Sequence, residues 1–339
     1  MGCLLVRATA QHTEVVAPPS LSPPPSSVDF LSDGEPVIRV QQSGPLDGTV
    51  RVAGAKNSVL KIMAASLLWP GRYTLRNVPR IADVRWMGEL LERMGATTTQ
   101  EGDVLTIDIP EEMTPEAPYD LVERIRASIV VLGPLLARFG EVNLPPPGGD
   151  VIGRRRIDTH FLAFEAMGGR VRLSEGFHVK AERLVGTTVF LDEPSVTGTE
   201  NAIMAAVMAE GTTLLRNSAS EPHVQDLCHF LVGLGAQISG IGSNVLAISG
   251  VTALGGGSHR ICPDHIEAAS FMGLAAVTDG ELVIEDVISE HMLAIWPGFR
   301  RLGIEWQLEG TSVRVPGKQE LTVVDDIGSQ IPKIEDGPW

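Results

Sequence analysis

The chain has 339 residues, 43% of them hydrophobic and only 5% aromatic, enough apolar material for two domains with real cores. Its formal charge of −15 argues against nucleic acid as the main partner, because a phosphate backbone needs broad positive surface, whereas a small anion needs only a local basic cluster. Cys3, Cys228 and Cys262 are too scattered for a disulfide framework, and no CxxC or HExxH pair points to a metal.

His223 and His229 near Cys228 read as partly exposed helical residues rather than a ligand set. The longest apolar runs are broken by Gly, Pro or charge before the length of a bilayer span, so no membrane segment is expected. The start, MGCLLVRATAQ, lacks the apolar centre and cleavage site of a secretory leader. The expectation is a reduced, cytoplasmic, soluble protein.

Residues 1–36 are rich in Pro and Ser (APPSLSPPPSS), show no periodic apolar face, and are expected to be a disordered tail. VIRVQQSGPLDGTVRVAG then alternates as strand, turn, strand. In GAKNSVLKIMAASLL (54–68), Gly54 permits a tight turn, and Lys56 and Asn57 fall at a helix start, where free N–H groups attract anions. The alternative is a solvated lysine beside an Asn cap.

An internal repeat follows. IMAASLLWPGRYTLRNVPRIADVRWMGELLERMGATT (62–98) aligns with AIMAAVMAEGTTLLRNSASEPHVQDLCHFLVGLGAQI (202–238), matching Leu75-Arg76-Asn77 to Leu215-Arg216-Asn217 and Gly95-Ala96 to Gly235-Ala236. A weaker third copy spans 271–306. Each reads as an Ala-rich helix, a glycine turn, a strand, an amphipathic helix and another strand. Gly95, Gly235 and Gly303 are predicted to cap the second helices.

YDLVERIRASIVVLGPLLARFG (119–140) is predicted as a helix capped by Asp120. Leu121, Ile125, Ile129 and Leu132 form its buried stripe, and Pro134 should kink or end it. Arg126 lies on a different face and either forks to a phosphate or carboxylate or pairs with Asp120 or Glu123.

In PPPGGDVIGRRRIDTH (145–160), Gly148 and Gly149 suggest a mobile loop tip carrying Asp150, with Arg154, Arg155 and Arg156 just behind. Either this is a lid that brings an acid to a substrate or it is a solvated charge run. GLGAQISG (233–240) is not a dinucleotide fingerprint, because it follows a helix and leads into a strand.

GAKN, RASIVVLGPLLARFG, PGGDVIGRRRIDTH and PSVTGTEN occur in the order and at about the spacings found in the UDP-N-acetylglucosamine 1-carboxyvinyltransferase family of enolpyruvyl transferases, which residues 38–339 resemble. The resemblance implies an α/β fold of two inside-out prism domains built from repeated βαβ-type units. The first domain would take 37–56 and 264–339 and be incomplete; the second, complete, would take 57–263 and carry the acid loop. It implies transfer of the enolpyruvyl group of phosphoenolpyruvate to a hydroxyl of UDP-N-acetylglucosamine with release of phosphate, in peptidoglycan precursor synthesis, with no metal and no organic cofactor.

Lys56, Asn57 and Arg126 would contact the substrates. Arg155, Arg156, Ile157, Asp158, Thr159, Ser195 and Val196 would line the nucleotide pocket. Asp150 would be the general acid, protonating C3 of phosphoenolpyruvate while the hydroxyl attacks C2. An aspartate is mostly ionised at neutral pH, and neighbouring arginines favour that form, so closure over a phosphate dianion must raise its pKa.

This sequence departs from the family pattern at four places. Asp150 stands where many members have cysteine, which implies resistance to the epoxide fosfomycin. Arg156 replaces a proline and Thr197 a glycine, leaving open transfer to another nucleotide or a shikimate-type acceptor. The chain ends at IPKIEDGPW, where the family continues with a further catalytic aspartate and a phosphoenolpyruvate-binding arginine. That leaves a non-catalytic sugar-nucleotide-binding paralogue as the remaining alternative.

Overall fold

The computed structural model describes residues 44–149, 156–325 and 327–328, with backbone strands at Leu4–Arg7, Asp29–Phe30 and Pro36–Val40. Described residues up to Val52 and from Pro263 onward form one unit, and Ala53–Cys262 form a second. Of the predicted tail, only two strands are described; their backbones pair antiparallel with Pro36–Val40.

The helices are α1 (Lys56–Ala65), α2 (Ala82–Arg93), α3 (Tyr119–Val122), α4 (Leu132–Phe139), α5 (Asp158–Ala166), α6 (Val196–Ala206), α7 (Pro222–Gly233), α8 (His265–Val277) and α9 (Trp296–Arg301). The repeat is structural, and it has one more copy than the sequence reveals. In the second unit, α1, Gly71–Arg76, α2 and the hairpin Thr97–Glu101/Val104–Ile109 form one copy. The next is α4, Glu141–Leu144, α5 and the hairpin Arg170–Leu173/Phe177–Lys180. The third is α6, Thr212–Arg216, α7 and Gln237–Ser239/Val245–Ser249. In the first unit, α8, Leu282–Glu285, α9 and Gln307–Glu309/Ser312–Val315 repeat the order.

Each copy makes a small mixed sheet. Its first strand pairs antiparallel with the hairpin and parallel with a segment from outside the copy. Gly257–Arg260 joins Gly71–Arg76, Thr188–Phe190 joins Thr212–Arg216, and Gly48–Arg51 joins Leu282–Glu285. In the α4–α5 copy the parallel partner shrinks to a single bridge, Glu116 to Asn143.

After the first strand, Asn77, Asn217 and Asp286 take left-handed φ values of 59°, 57° and 63°, which Asn and Asp tolerate best among residues with a Cβ. Asn77 and Asn217 use their amides to hold the incoming strand, Nδ2 donating to the Ile261 carbonyl (3.0 Å) and the Leu191 carbonyl (2.8 Å). The α4–α5 copy has Pro145 at that place, so its sequence carries no matching triplet.

The strands alternate as a half-buried sheet must: Leu105, Ile107 and Ile109 are buried, while Val104, Thr106 and Asp108 face outward. The first helices of the copies behave differently. Ser58–Ala65 of α1 and Gly198–Ala206 of α6 are buried on every face, so these two helices lie inside the unit. Small residues allow that packing. A Cβ on Gly133 of α4 would lie 2.5 Å from the backbone oxygen of Asn201 on α6. One apolar core runs through this unit from Val59 to Ile261. The first unit has its own core, including Met272, Ile284, Val313 and Val315, with Trp296 stacked on Trp306 at 4.6 Å.

The continuous helix expected over 119–140 is three pieces: α3, a 3-10 segment at Arg126–Val131, and α4. Pro118, not Asp120, is the residue before the first turn, and Pro134 sits in the first turn of α4, where proline is tolerated. The predicted stripe of Leu121, Ile125, Ile129 and Leu132 is nevertheless buried. Gly95, Gly235 and Gly303 follow their helices at positive φ, as their capping role requires. Cys228 and His223 are buried on α7, and only His229 is exposed.

Candidate active site

The predicted site residues that are described gather at the starts of α1, α5 and α6 and on the 3-10 segment after α3, all in the second unit. Asp150 and Arg155 lie outside the described residues.

Gly54 fixes the entry to α1, because a Cβ there would sit 1.7 Å from the Asn77 carbonyl oxygen. The tight approach sets Ala55 as N-cap, which makes no side-chain capping hydrogen bond. Lys56 is exposed in this first turn, its Nζ 3.7 Å from Asp83, and Asn57 is half-buried beside it. An exposed pair at that distance is weak.

Behind them, Lys61 is buried and its Nζ donates to the Asn57 carbonyl at 2.9 Å. Its charge faces Glu200 of α6 at 3.7 Å, attractive but too long for a hydrogen bond. Neither Glu200 oxygen has a hydrogen-bond partner among the described residues. Burial pushes this carboxyl up to about 8 against the opposing pull of Lys61.

α1 is fastened a second time. Ser58 Oγ donates to Asp226 of α7, whose other oxygen meets His259 Nε2 at 2.9 Å. The Cys262 N–H also donates to Asp226, at 3.1 Å. Burial raises the Asp226 pKa, but these contacts outweigh it and hold the carboxyl below its ordinary range.

Arg126 opens the 3-10 segment and is half-buried. Asp120 pairs with Arg93 instead, at 3.6 Å, and Glu123 with Tyr119. The Pro-Gly-Gly stretch is packed onto this segment. A Cβ on Gly148 would lie 1.6 Å from the Glu123 oxygen, and one on Gly149 2.9 Å from the Arg126 nitrogen. The glycines expected to loosen a loop tip are therefore there because no side chain fits between the chain and the Arg126 segment.

Arg156 precedes α5 and is surrounded by carboxylates: its Nε donates to Asp158 Oδ1 at 3.0 Å, Nη2 to Asp192, and Nη1 to Glu193 at 3.5 Å. Its charge is matched within the protein. Ile157 is half-buried ahead of α5, and Asp158 is exposed in its first turn. Thr159 is buried and donates to Asp192 at 3.1 Å.

The start of α6 closes on the same place. Ser195 is a true N-cap, accepting from the Gly198 N–H at 3.2 Å, and Val196 begins the helix. A Cβ on Gly198 would meet Ser195 and the Thr159 methyl, each at 3.1 Å, so only glycine lets α5 and α6 approach this closely.

Beneath lies a polar strip in which Thr197, singled out in the sequence, meets two residues that sequence reasoning missed, His160 and Asn201. His160 Nε2 lies 3.1 Å from Thr197 Oγ1 and its Nδ1 2.7 Å from Asn201 Nδ2. Burial, with the positive charge of Arg126 nearby, pushes His160 down to about 3, so the imidazole is neutral. The strip thus connects the Arg126 segment, α5 and α6. The quoted motifs already contained all three residues; that they touch was not visible in the spacing.

The fold and this set of helix starts define an enolpyruvyl transferase: residues 40–334 match the EPSP synthase (3-phosphoshikimate 1-carboxyvinyltransferase) family. The enolpyruvyl transferase NikO from Streptomyces tendae shares the fold with a TM-score of 0.72 at 23% identity, over 81% of this chain and 66% of that one. EPSP synthase from Acinetobacter baumannii does so with a TM-score of 0.64 at 16% identity, over 84% and 67%.

Sequence relatives are nearer. UDP-N-acetylglucosamine 1-carboxyvinyltransferase of Treponema denticola is 51% identical over 301 residues, covering 88% of this chain and 71% of that protein. The protein of the same name from Bradyrhizobium diazoefficiens is 52% identical over 295 residues, covering 87% and 68%. The chain belongs to the UDP-N-acetylglucosamine 1-carboxyvinyltransferase branch of the EPSP synthase family.

Proposed function

We infer that the protein transfers the enolpyruvyl group of phosphoenolpyruvate to a hydroxyl of UDP-N-acetylglucosamine, releasing phosphate, in the synthesis of peptidoglycan precursors. The observation that carries this reading is the identity of about half the residues, over nearly 300 positions, to proteins of that name.

The structure gives the reading a physical form. Lys56 at the start of α1 offers one anion site, and Arg126 a second. Thr159, Ser195 and Val196 stand together at the nucleotide end, where Arg156 orders Asp158 and Asp192 rather than meeting a phosphate. The reading assigns the proton donor to Asp150, next in sequence to a glycine pair that is pressed on the Arg126 segment. Positive groups stabilise the charge that develops as the sugar oxygen adds to C2 and phosphate leaves. Among the described residues no helix is long and apolar enough to cross a membrane, and the reading places the protein in the cytoplasm with its two water-soluble substrates.

The test is phosphate release and product mass on mixing phosphoenolpyruvate with UDP-N-acetylglucosamine. Stoichiometric phosphate and a carboxyvinyl adduct are expected, with turnover abolished in Asp150→Ala and unaffected by fosfomycin, since a carboxylate is not alkylated as a thiolate is. Adduct formation only with another acceptor would replace the sugar nucleotide, and nucleotide binding without phosphate release would leave a binding protein.

A further inference from the structure

The polar strip under the α6 start fixes the direction of one hydroxyl. The Gly133 N–H donates to Asn201 Oδ1 at 2.7 Å, which sets the orientation of that amide, because a backbone N–H can only donate. Asn201 Nδ2 therefore faces the Ile129 carbonyl at 3.0 Å and His160 Nδ1 at 2.7 Å, donating to both. His160 Nδ1 must then be the acceptor, and the neutral ring carries its proton on Nε2. That N–H donates to Thr197 Oγ1 at 3.1 Å.

With its oxygen accepting from His160, the Thr197 hydroxyl has its own proton to give away from the core. It meets no other hydrogen-bond partner among the described residues. Thr197 is half-buried in the first turn of α6, between the Ser195 cap and the buried Gly198. Asn201 and His160 are fully buried, so the strip is rigid and its polarity is not free to reverse.

We propose that Thr197 is a specificity-determining residue: its hydroxyl, oriented by His160 and Asn201, donates a hydrogen bond to an acceptor oxygen of the nucleotide bound at the start of α6. This rests on the sugar-nucleotide reading of the site. His160 and Asn201 act through Thr197 and are positioning residues. A base or ribose oxygen and a phosphate oxygen both satisfy the chemistry, and the ligand series separates them.

The experiment is calorimetric titration of the full chain with UDP-N-acetylglucosamine, UMP and uridine. Thr197→Val is expected to weaken UDP-N-acetylglucosamine binding about tenfold, and Thr197→Ser to restore it to within about twofold. A loss that persists with uridine assigns the acceptor to the nucleoside, and a loss confined to the phosphorylated ligands assigns it to phosphate. Valine leaves the His160 N–H without an acceptor, so Thr197→Ala, which gives water access to that N–H, serves as the second variant. Binding by both variants as tight as wild type overturns the proposal and leaves the sugar-nucleotide reading intact. Failure of the unaltered chain to bind UDP-N-acetylglucosamine overturns both. A nitrogen-15 spectrum provides an independent check: a His160 proton on Nδ1 instead of Nε2 overturns the proposal whatever the affinities.

Discussion

Glu200 has an environment at odds with its chemistry: fully buried, with no hydrogen-bond partner among the described residues and with Lys61 3.7 Å away. Its carboxyl lies at about 8 when folded against an ordinary 4.5, so between those values the native protein holds more protons than the unfolded chain. Stability from this group is complete below the ordinary value and is lost as pH rises through about 8. The melting temperature is therefore expected to fall by several degrees over that window in wild type, and Glu200→Gln to flatten this fall. Equal slopes in the two proteins would show that Glu200 does not govern it. None of this was legible in the sequence. Lys61 and Glu200 each stand in an Ala-rich helix, but α1 and α6 are buried all round, and an amphipathic pattern cannot report a helix with no exposed face. The helix start at Lys56 and Asn57 was legible from the Gly54 turn, whereas Ser195 and Val196 entered only through the family resemblance.

At the scale of elements, the copies are held by backbone approaches that admit only glycine. Gly54→Ala must displace either the α1 start or the Asn77 turn, and is expected to cost about 3 kcal/mol or more, read by denaturant titration. Gly148→Ala meets the Glu123 oxygen in the same way, and is expected to reduce turnover more than stability, because it pushes on the Arg126 segment and the chain leading to Asp150. A Gly148→Ala protein with wild-type turnover would show that this contact does not set the site. The sequence announced the repeat where Leu-Arg-Asn and Gly-Ala recur. It hid the α4–α5 copy, where Pro145 occupies the asparagine place and the parallel strand is reduced to one bridge. The 119–140 stretch misled for a related reason: its stripe is buried as the periodicity demands, but the backbone breaks at Ile125, an extended residue ahead of Arg126.

For the whole molecule, the second unit has a core confined to Val59–Ile261 and the first a separate core drawn from Val52 and residues after Pro263. A chain of residues 53–262 is expected to express as a folded protein with a cooperative thermal transition and helical content matching its share of the intact protein. A non-cooperative melt would mean that it depends on the rest of the chain. The composition was enough to call for two cores; that the second unit is inserted in the sequence of the first follows from which strands pair, and no local pattern encodes that.

The pairing of Gly48–Arg51 with Leu282–Glu285 also has a consequence for how the protein is made. Arg51 leaves the ribosome 235 positions ahead of Asp286, which it binds at 3.1 Å, and the entire second unit is synthesised in between. At translation speed that is roughly ten to fifty seconds. For that time the early strand is an open edge able to bind chaperones or a neighbouring nascent chain, so the order of synthesis, rather than final stability, sets when this protein is most exposed to misassembly.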